Sequence, residues 1–329
     1  MKGMAWPTVL LLGAILSHAQ SAGDSGLRLV QTIALPGVAG RLDHLAIDLA
    51  GERLFVAALG NNSVEVIDLR KGARLRSITD LGNPQGVGYA PESGKLIVAN
   101  AKGGACNIYD GKSFALTGSV ALEDDADNLH CDTETQRAWV VFGNGGICEI
   151  NLTSGTRARS IELPGHPEGF VLERNGPRIF VNVPSAHQIA VLDRESGKVI
   201  ARWTTGGATE NFPIALDQAG HRLFVGCRSP AQLVVLNSDS GALVTTVSIP
   251  SDSDDIFLDE KNHRLFVICG AGSVAVIEQL TAGSYQRRAT IATAPGARTG
   301  LFVPELRSLF VAIPKRGSQS AEIRRYSVE

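Results

Sequence analysis

The chain has 329 residues, of which 44% are hydrophobic and 19% are charged, so it can form a large core and is not intrinsically disordered. Its formal net charge of −2 argues against nucleic acid or an anionic membrane surface as a partner, because both usually select basic proteins. The 36 glycines and 14 prolines interrupt the sequence too often for helical bundles or coiled coils.

The first 19 residues have the pattern of a signal peptide. Lys2 supplies a positive charge, residues 8–16 are apolar, and Ser17 and Ala19 are the small residues that a cleavage site requires. The apolar stretch is too short to span a bilayer. We therefore predict a cleaved signal peptide over 1–19, a short linker over 20–26, and a periplasmic or secreted mature chain without a membrane span.

Five cysteines follow in the mature chain, an odd number for a set of structural disulfides. They are Cys106, Cys131, Cys148, Cys227 and Cys269. The sequence contains neither a CxxC nor a CxxCH motif, so neither a zinc ribbon nor covalent haem attachment is predicted. We interpret the cysteines as small hydrophobic side chains of the core.

One four-residue phrase, in which three mostly hydrophobic residues follow a basic residue or a serine, recurs seven times along the chain. Its second residue is Leu54, Leu96, Ala138, Ile179, Leu223, Leu265 and Leu309, which places successive copies 41 to 44 positions apart. A fixed period of this length indicates repeated units that bury their faces against their neighbours.

The first unit contains four short hydrophobic segments, at 45–48, 53–58, 63–68 and 73–78, and each is followed by turn residues. Strands joined by such short turns are antiparallel neighbours. Four-stranded units at this period are typical of the blades of a β-propeller.

The last unit and the start of the mature chain complete each other. The seventh unit runs from Arg298 to Tyr326 and supplies only three strands, whereas residues 27–35 form a strand that precedes the first unit. Pairing the two would cover an exposed sheet edge. We therefore predict one all-β domain over 27–329, a seven-bladed β-propeller with four antiparallel strands per blade and with the N-terminal strand completing the last blade.

Segments such as Ser63-Val-Glu-Val-Ile-Asp68 and Gln188-Ile-Ala-Val-Leu-Asp193, each preceded by a hydrophobic strand, resemble the YVTN-repeat β-propellers, the YncE-like exported proteins. The resemblance extends over nearly all of the mature chain. The Tyr-Val-Thr-Asn signature itself is replaced, for example by Phe-Val-Ala-Ala and Ile-Val-Ala-Asn. The resemblance implies the propeller fold, but it leaves the activity open because this group includes scaffolds, binding proteins and relatives of enzymes.

Polar residues occur at the aligned position where the innermost strand begins in six of the seven units, and Asn211 lies one step earlier in the fifth. These candidate ligand-binding residues are Asp43, His44, Gln85, Asp127, Asn128, Glu168, Asn211, Asp254, Asp255 and Arg298. Ring closure would bring them together at the mouth of the central channel, where the carboxylates would repel one another unless a positive group bound to them. Alternatively, Asp and Asn occur in these loops because they favour turns.

The candidate ligands for a divalent cation, the one cofactor that the pattern suggests, are Asp43, His44, Asp127, Glu168, Asp254 and Asp255. Arg298 or Arg41 would instead neutralise these acids or hold an anionic part of a ligand. Loops after the second strands carry polar residues that are either a selective rim or ordinary solvated groups: Asn61, Asn62, Lys102, Asn144, His187, Arg228, Lys315 and Arg316.

The opposite face carries a recurring basic residue that follows an acidic residue by five positions, as in Asp48 and Arg53. A hairpin places two such residues opposite each other, so we interpret them as cross-strand ion pairs and exclude them from the site. The same pattern occurs at Asp132, Asp217 and Asp259.

Three functional hypotheses remain. The first is a non-catalytic exported propeller, a monomer, that presents its acidic mouth to a small ligand or an envelope protein; the sequence has no HExxH or GxSxG motif. The second is a metal-dependent, lactonase-like hydrolase in which Asp43, His44 or Glu168 acts as the base. The third is a structural or redox-associated scaffold.

Overall fold

The structure of the chain is a computed structural model that describes residues 26–132 and 135–329. The predicted signal peptide, 1–19, and residues 20–25 of the predicted linker lie outside the described residues. Seven four-stranded antiparallel sheets form the seven blades of a β-propeller, as the sequence predicts. In the described part of the chain, no helix is long and apolar enough to cross a membrane.

The strands are numbered in chain order, and β1 (Leu27–Ala34) precedes the first blade. Blade 1 contains β2 (Leu45–Asp48), β3 (Arg53–Ala58), β4 (Ser63–Asp68) and β5 (Ala73–Ile78). Blade 2 contains β6 (Pro84–Ala90), β7 (Lys95–Asn100), β8 (Ala105–Asp110) and β9 (Leu116–Ala121). Blade 3 contains β10 (Leu129–Asp132), β11 (Arg137–Phe142), β12 (Gly146–Asn151) and β13 (Thr156–Glu162). The bounds of all four strands of blade 1 agree with the predicted segments.

Blade 4 contains β14 (Phe170–Leu172), β15 (Arg178–Val183), β16 (Gln188–Asp193) and β17 (Lys198–Trp203). Blade 5 contains β18 (Thr209–Asp217), β19 (Arg222–Ser229), β20 (Ala231–Asn237) and β21 (Leu243–Ser248). Blade 6 contains β22 (Ser253–Asp259), β23 (Arg264–Cys269), β24 (Ser273–Thr281) and β25 (Ser284–Ala292). Blade 7 contains β26 (Gly300–Val303), β27 (Ser308–Ile313), β28 (Glu322–Val328) and β1. Among the described residues, four single-turn 3-10 helices lie in connections: Leu59–Asn61, Pro184–Ala186, Glu260–Asn262 and Pro304–Leu306.

Strand β1 closes the ring by pairing with β28. The two strands are antiparallel, with Leu27 opposite Val328 and Ala34 opposite Glu322. Ile33 on β1 is fully buried beside residues of blades 1 and 7. The N-terminal strand therefore completes the last blade, which confirms the predicted closure.

The core lies between the blades. Seven hydrophobic clusters each combine side chains from two neighbouring sheets, and the recurring phrase supplies the largest buried members, such as Phe55 and Phe310. A single four-stranded sheet could not bury both of its faces alone. The repeat therefore sets how each blade packs against the next, and this packing closes the ring of blades around the central channel.

The cross-strand ion pairs form at two of the four expected positions, Asp48–Arg53 at 2.6 Å and Asp259–Arg264 at 2.9 Å. At the third, Arg137 turns to Glu149 at 3.0 Å, and Asp132 pairs with Arg194 at 3.1 Å. At the fourth, Asp217 accepts a hydrogen bond from the backbone of its own turn. At the third site, charged partners in the next strand and the next blade replace the directly opposite residue, and at the fourth site the backbone of the turn replaces it.

The five cysteines all lie in described ranges, and none forms a disulfide. Four are buried and Cys131 is half-buried. Burial raises the pKa of Cys131, Cys227 and Cys269 to about 12, so the thiols stay protonated at neutral pH. Their interpretation as core side chains is confirmed for the four buried residues.

Candidate functional site

The first strand of every blade faces the central channel. A cavity of about 160 Å³ is lined by residues from all seven of these strands, namely Leu45, Val87, Leu129, Phe170, Ile214, Ile256 and Leu301 among others. Apolar side chains such as Leu129 and Ile256 line part of its wall, whereas Asp254, Asp255 and His44 lie where the first strands begin. We call this polar end the mouth.

Backbone hydrogen bonds fix the height of the mouth residues. In three blades the second residue before the first strand donates its N–H to the second strand: Asp43 to Ala57 at 2.7 Å, Asp127 to Val141 at 2.9 Å and Glu168 to Asn182 at 3.0 Å. Each bond extends the ladder by one position beyond the regular strand. Equivalent residues of different blades are therefore held at one level around the channel.

One side of the mouth, which we call the arginine side, consists of acids paired with guanidinium groups. Arg41 Nη2 lies 2.9 Å from Asp43 Oδ2 and 3.7 Å from Asp254 Oδ2. Arg228 also contacts Asp254. The carboxylates of Asp43 and Asp254 are therefore already neutralised by fixed positive charges.

The pairing continues around Asp252. Arg298 Nη2 lies 3.0 Å from Asp252 Oδ2, and Arg228 Nη2 lies 3.4 Å from Asp252 Oδ1. The guanidinium of Arg228 also stacks 3.7 Å over the ring of Phe212. This packing holds the Arg228 guanidinium beside the acids of the mouth, where it forms ion pairs with them.

His44 lies between two acids. Its Nδ1 is 3.5 Å from Asp255 Oδ1 and its Nε2 is 3.9 Å from Asp43 Oδ1. Burial alone would lower the pKa of His44, but the charge and hydrogen bond of Asp255, together with the charge of Asp43, raise it to about 10. The imidazolium is therefore the stable form at neutral pH.

The other side, which we call the carboxylate–histidine side, contains Asp125, Asp127, His166 and Glu168. His166 Nε2 lies 3.9 Å from Asp127 Oδ2 and 3.8 Å from Glu168 Oε1. Gln85 donates to Asp125 at 3.2 Å. Within the described ranges, no arginine or lysine forms an ion pair with these three acids.

Charge and burial together shift the titration of the mouth. Burial raises the pKa of Asp43 to about 7, although Arg41 and His44 oppose the shift. Burial and the charge of Asp127 raise the pKa of Glu168 to about 8. Burial likewise raises the pKa of Asp254 to about 6. A cation bound in the mouth would favour the ionised forms of these acids.

Most of the predicted site residues meet at the mouth: Asp43, His44, Gln85, Asp127, Glu168, Asp254, Asp255 and Arg298. Asn128 lines the cavity below it. Asn211 does not join them, because it is fully buried and donates to Asn182 Oδ1 and to the Gln188 carbonyl, each at 3.0 Å. Its amide therefore belongs to the wall between blades 4 and 5.

The six predicted metal ligands divide into three groups. Asp127 and Glu168 lie together, Asp43 and Asp254 are held by arginines, and His44 pairs with Asp255. Asp255 also accepts a hydrogen bond of 2.8 Å from the Gly300 backbone. The structure thus brings the six residues to one mouth but not around one point.

The sequence prediction did not include His166, Asp125 and Asp252 in the site. The signal for them is positional, because Arg41, Asp125, His166 and Asp252 each lie two residues before the aligned acids Asp43, Asp127, Glu168 and Asp254. Extending the repeat alignment by two residues would have found the three missed residues together with Arg41. Of the polar loop residues after the second strands, Arg228 is the one that pairs with the mouth acids.

Comparisons with known proteins identify the fold. No protein-family model matches the chain, and no curated protein matches it. A chain of the crystal structure of the mitotic checkpoint complex aligns with a TM-score of 0.77 and 14% identity, covering 100% of this chain and 99% of that one. A chain of the Kuenenia stuttgartiensis hydrazine synthase aligns with a TM-score of 0.75 and 15% identity, covering 89% of this chain and 97% of that one. At this level of identity the similarity concerns the propeller architecture alone.

Proposed function

We propose that this protein is an exported binding protein whose channel mouth captures a positively charged ligand. The observation that carries the proposal is the excess of acids over bases at the mouth. The acids are Asp43, Asp125, Asp127, Glu168, Asp252, Asp254 and Asp255, and the bases are Arg41, Arg228, Arg298, His44 and His166. Even with both imidazoles protonated, seven carboxyl groups face five basic groups, and a cationic ligand would stabilise the ionised forms of Asp43 and Glu168, whose pKa values are raised without it.

Export and membership in the YVTN-repeat group are parts of the same proposal. The apolar segment at 8–16, followed by Ala19, supports export. The recurring Leu-Phe-Val strands and the seven-bladed ring support a relationship with YncE-like propellers. A binding role agrees with the ring, because a rigid scaffold can hold loop residues of several blades in one constellation.

Isothermal titration calorimetry tests the binding role directly. The purified protein is titrated with divalent metal ions and with a short organic diamine, and one cation per chain is expected. A variant carrying Asp43→Asn, Asp127→Asn and Glu168→Gln should bind more than ~10-fold more weakly, because three charges of the mouth are removed.

The matched control changes three exposed acids elsewhere, Glu52→Gln, Glu195→Gln and Glu260→Gln, and removes the same number of acidic groups. It should bind like the unmodified protein. Equal weakening in the two triple variants, or no cation binding by the unmodified protein, would refute a cation-binding mouth.

Metal-dependent hydrolysis is a second candidate function. It is favoured by a buried carboxyl group beside the mouth, since the pKa of Asp43 near 7 suits a general base. A metal ion on the carboxylate–histidine side would polarise the carbonyl of a lactone, and Asp43 would take a proton from the attacking water. Metal-stimulated lactone hydrolysis that disappears in Asp43→Asn, while metal binding persists, would favour this function over simple binding.

A further inference from the structure

The carboxylate–histidine side contains a compact set of three potential metal ligands. One ligand atom from each of Asp127, His166 and Glu168 can be chosen so that all three lie within 4.8 Å of one another. Asp127 precedes β10 and the other two precede β14, so the set bridges blades 3 and 4. Its members are between 13% and 29% exposed, which leaves one side of the set open to the mouth.

The orientation of the imidazole suits coordination. His166 Nδ1 lies 2.6 Å from the carbonyl oxygen of Gly143, which can only accept a hydrogen bond, so Nδ1 carries a proton. Nε2 is then the nitrogen that faces the two carboxylates, and it offers its lone pair when an incoming metal ion displaces its proton to solvent. A histidine ligand whose other nitrogen donates to a backbone carbonyl is the usual arrangement in metal sites.

Local backbone structure fixes both the two ligands of blade 4, His166 and Glu168, and the carbonyl that binds the imidazole, that of Gly143. Pro167 separates His166 from Glu168 and restricts the backbone between the two ligands. Gly143 lies in the tight turn between β11 and β12, and its own N–H donates to the Asp125 carbonyl. The acceptor of the imidazole is thus fixed by a hairpin of the neighbouring blade.

The distances are close to those of a coordinated ion. Ligands bound at about 2.1 Å in a tetrahedral site are ~3.4 Å apart, and here Nε2 is 3.8 and 3.9 Å from the two oxygens. Movements of about half an ångström would bring each carboxylate to this separation from the imidazole, and the three ligand atoms already lie within 4.8 Å of one another. One imidazole and two carboxylates are donors that suit Zn²⁺ and its first-row neighbours, whereas Ca²⁺ and Mg²⁺ favour oxygen alone.

We propose that Asp127, His166 and Glu168 bind a divalent transition-metal ion of the zinc type, with Gly143 orienting the imidazole and with a coordination position open toward the mouth. This inference rests on the proposed cation-binding function and specifies its ligand. The paired acids of the arginine side are not metal ligands, because their oxygens already contact guanidinium groups. They shape the charge around the open position instead.

His166→Ala separates coordination from simple charge attraction. If the mouth attracts cations by charge alone, removing a basic imidazole leaves binding unchanged or strengthens it. If the imidazole is a ligand, Zn²⁺ and Co²⁺ affinity should fall by more than ~100-fold, beyond the loss caused by removing an outer-shell partner. The readouts are calorimetry with Zn²⁺, Co²⁺ and Ca²⁺ and the visible absorption of the Co²⁺-loaded protein, which reports its ligands.

Two further variants complete the test. Glu168→Gln keeps the shape of the side chain and should also weaken Zn²⁺ binding, and circular dichroism verifies that both variants are folded. His221→Ala is the matched control, since His221 is 60% exposed and pairs with Asp239 away from the mouth; it should bind Zn²⁺ normally.

Two results would overturn the metal site, and they are distinguishable. If Zn²⁺ binds equally well in the unmodified protein and in folded His166→Ala, the three-ligand site is wrong while the cation-binding mouth stands. If the unmodified protein binds neither metal ions nor the diamine, both proposals fail.

Discussion

Asp43 and Glu168 occupy equivalent positions in blades 1 and 4 but have different partners. Asp43 is paired with Arg41 at 2.9 Å, whereas Glu168 faces His166 at 3.8 Å. The repeat alignment predicts both positions, because backbone pairing places them at the same level. It does not predict their partners, since these depend on side chains that approach from neighbouring blades.

Asp43 should make the stability of the ligand-free protein depend on pH. Its folded-state pKa of about 7 is above the unfolded value, so its contribution to stability is fully present below pH ~4 and is lost as the pH rises through 7. The unmodified protein should therefore lose about 2 to 3 kcal/mol of unfolding free energy from this group between pH 5 and 8. Asp43→Asn cannot ionise, and denaturant unfolding of this variant should show that much less decrease.

Asp68→Asn provides the control for this pH series. Backbone hydrogen bonds from Lys71 and Arg70 lower the pKa of Asp68, so it stays ionised throughout the range from pH 5 to 8. The difference between this variant and the unmodified protein should be constant over that range. A pH dependence in Asp43→Asn as steep as that of the unmodified protein would contradict the buried, raised-pKa state of Asp43.

At the scale of the strand, β1 is held to the ring by its inward-facing side chains. Ile33 is fully buried in a cluster that includes Phe310 and Ile323, whereas Leu29 on the same strand is 48% exposed. Ile33→Ala should lower the unfolding free energy by about 2 to 4 kcal/mol through the lost burial and the resulting cavity. Leu29→Ala should cost less than ~0.5 kcal/mol, and denaturant titration measures both.

Similar losses in the two variants would mean that β1 does not dock as the outer strand of blade 7.

The place of β1 was predictable from the sequence, because the N-terminal strand has no partner in the first unit and the last unit lacks a fourth strand. The strands of blade 1 were predictable for a related reason, since hydrophobic segments such as 53–58 and 63–68 are bounded by turn residues. Irregular stretches were less predictable, as in β18, where the pairing register shifts between Asn211 and Ile214 and Asn211 lies in the wall.

At the scale of the whole molecule, ring closure divides the mouth into two sides with different chemistry. Blades 1 and 6 supply acids that are neutralised by arginines of blades 1, 5 and 7, whereas blades 3 and 4 supply acids grouped around His166. Seven aligned loops predict that polar groups converge, but they cannot predict this division. It depends on which loop carries a base two residues before its acid, as with Arg41 and His166.

The most direct test of the cation-binding mouth is anomalous X-ray diffraction from crystals of the protein soaked in Zn²⁺. We expect an anomalous peak in the mouth, about 2.0 to 2.2 Å from His166 Nε2 and from a carboxylate oxygen of Asp127 and of Glu168. A peak beside Asp43 and Asp254 would keep the mouth but contradict the three-ligand site. Metal ordered elsewhere on the protein with no peak in the mouth would contradict the account.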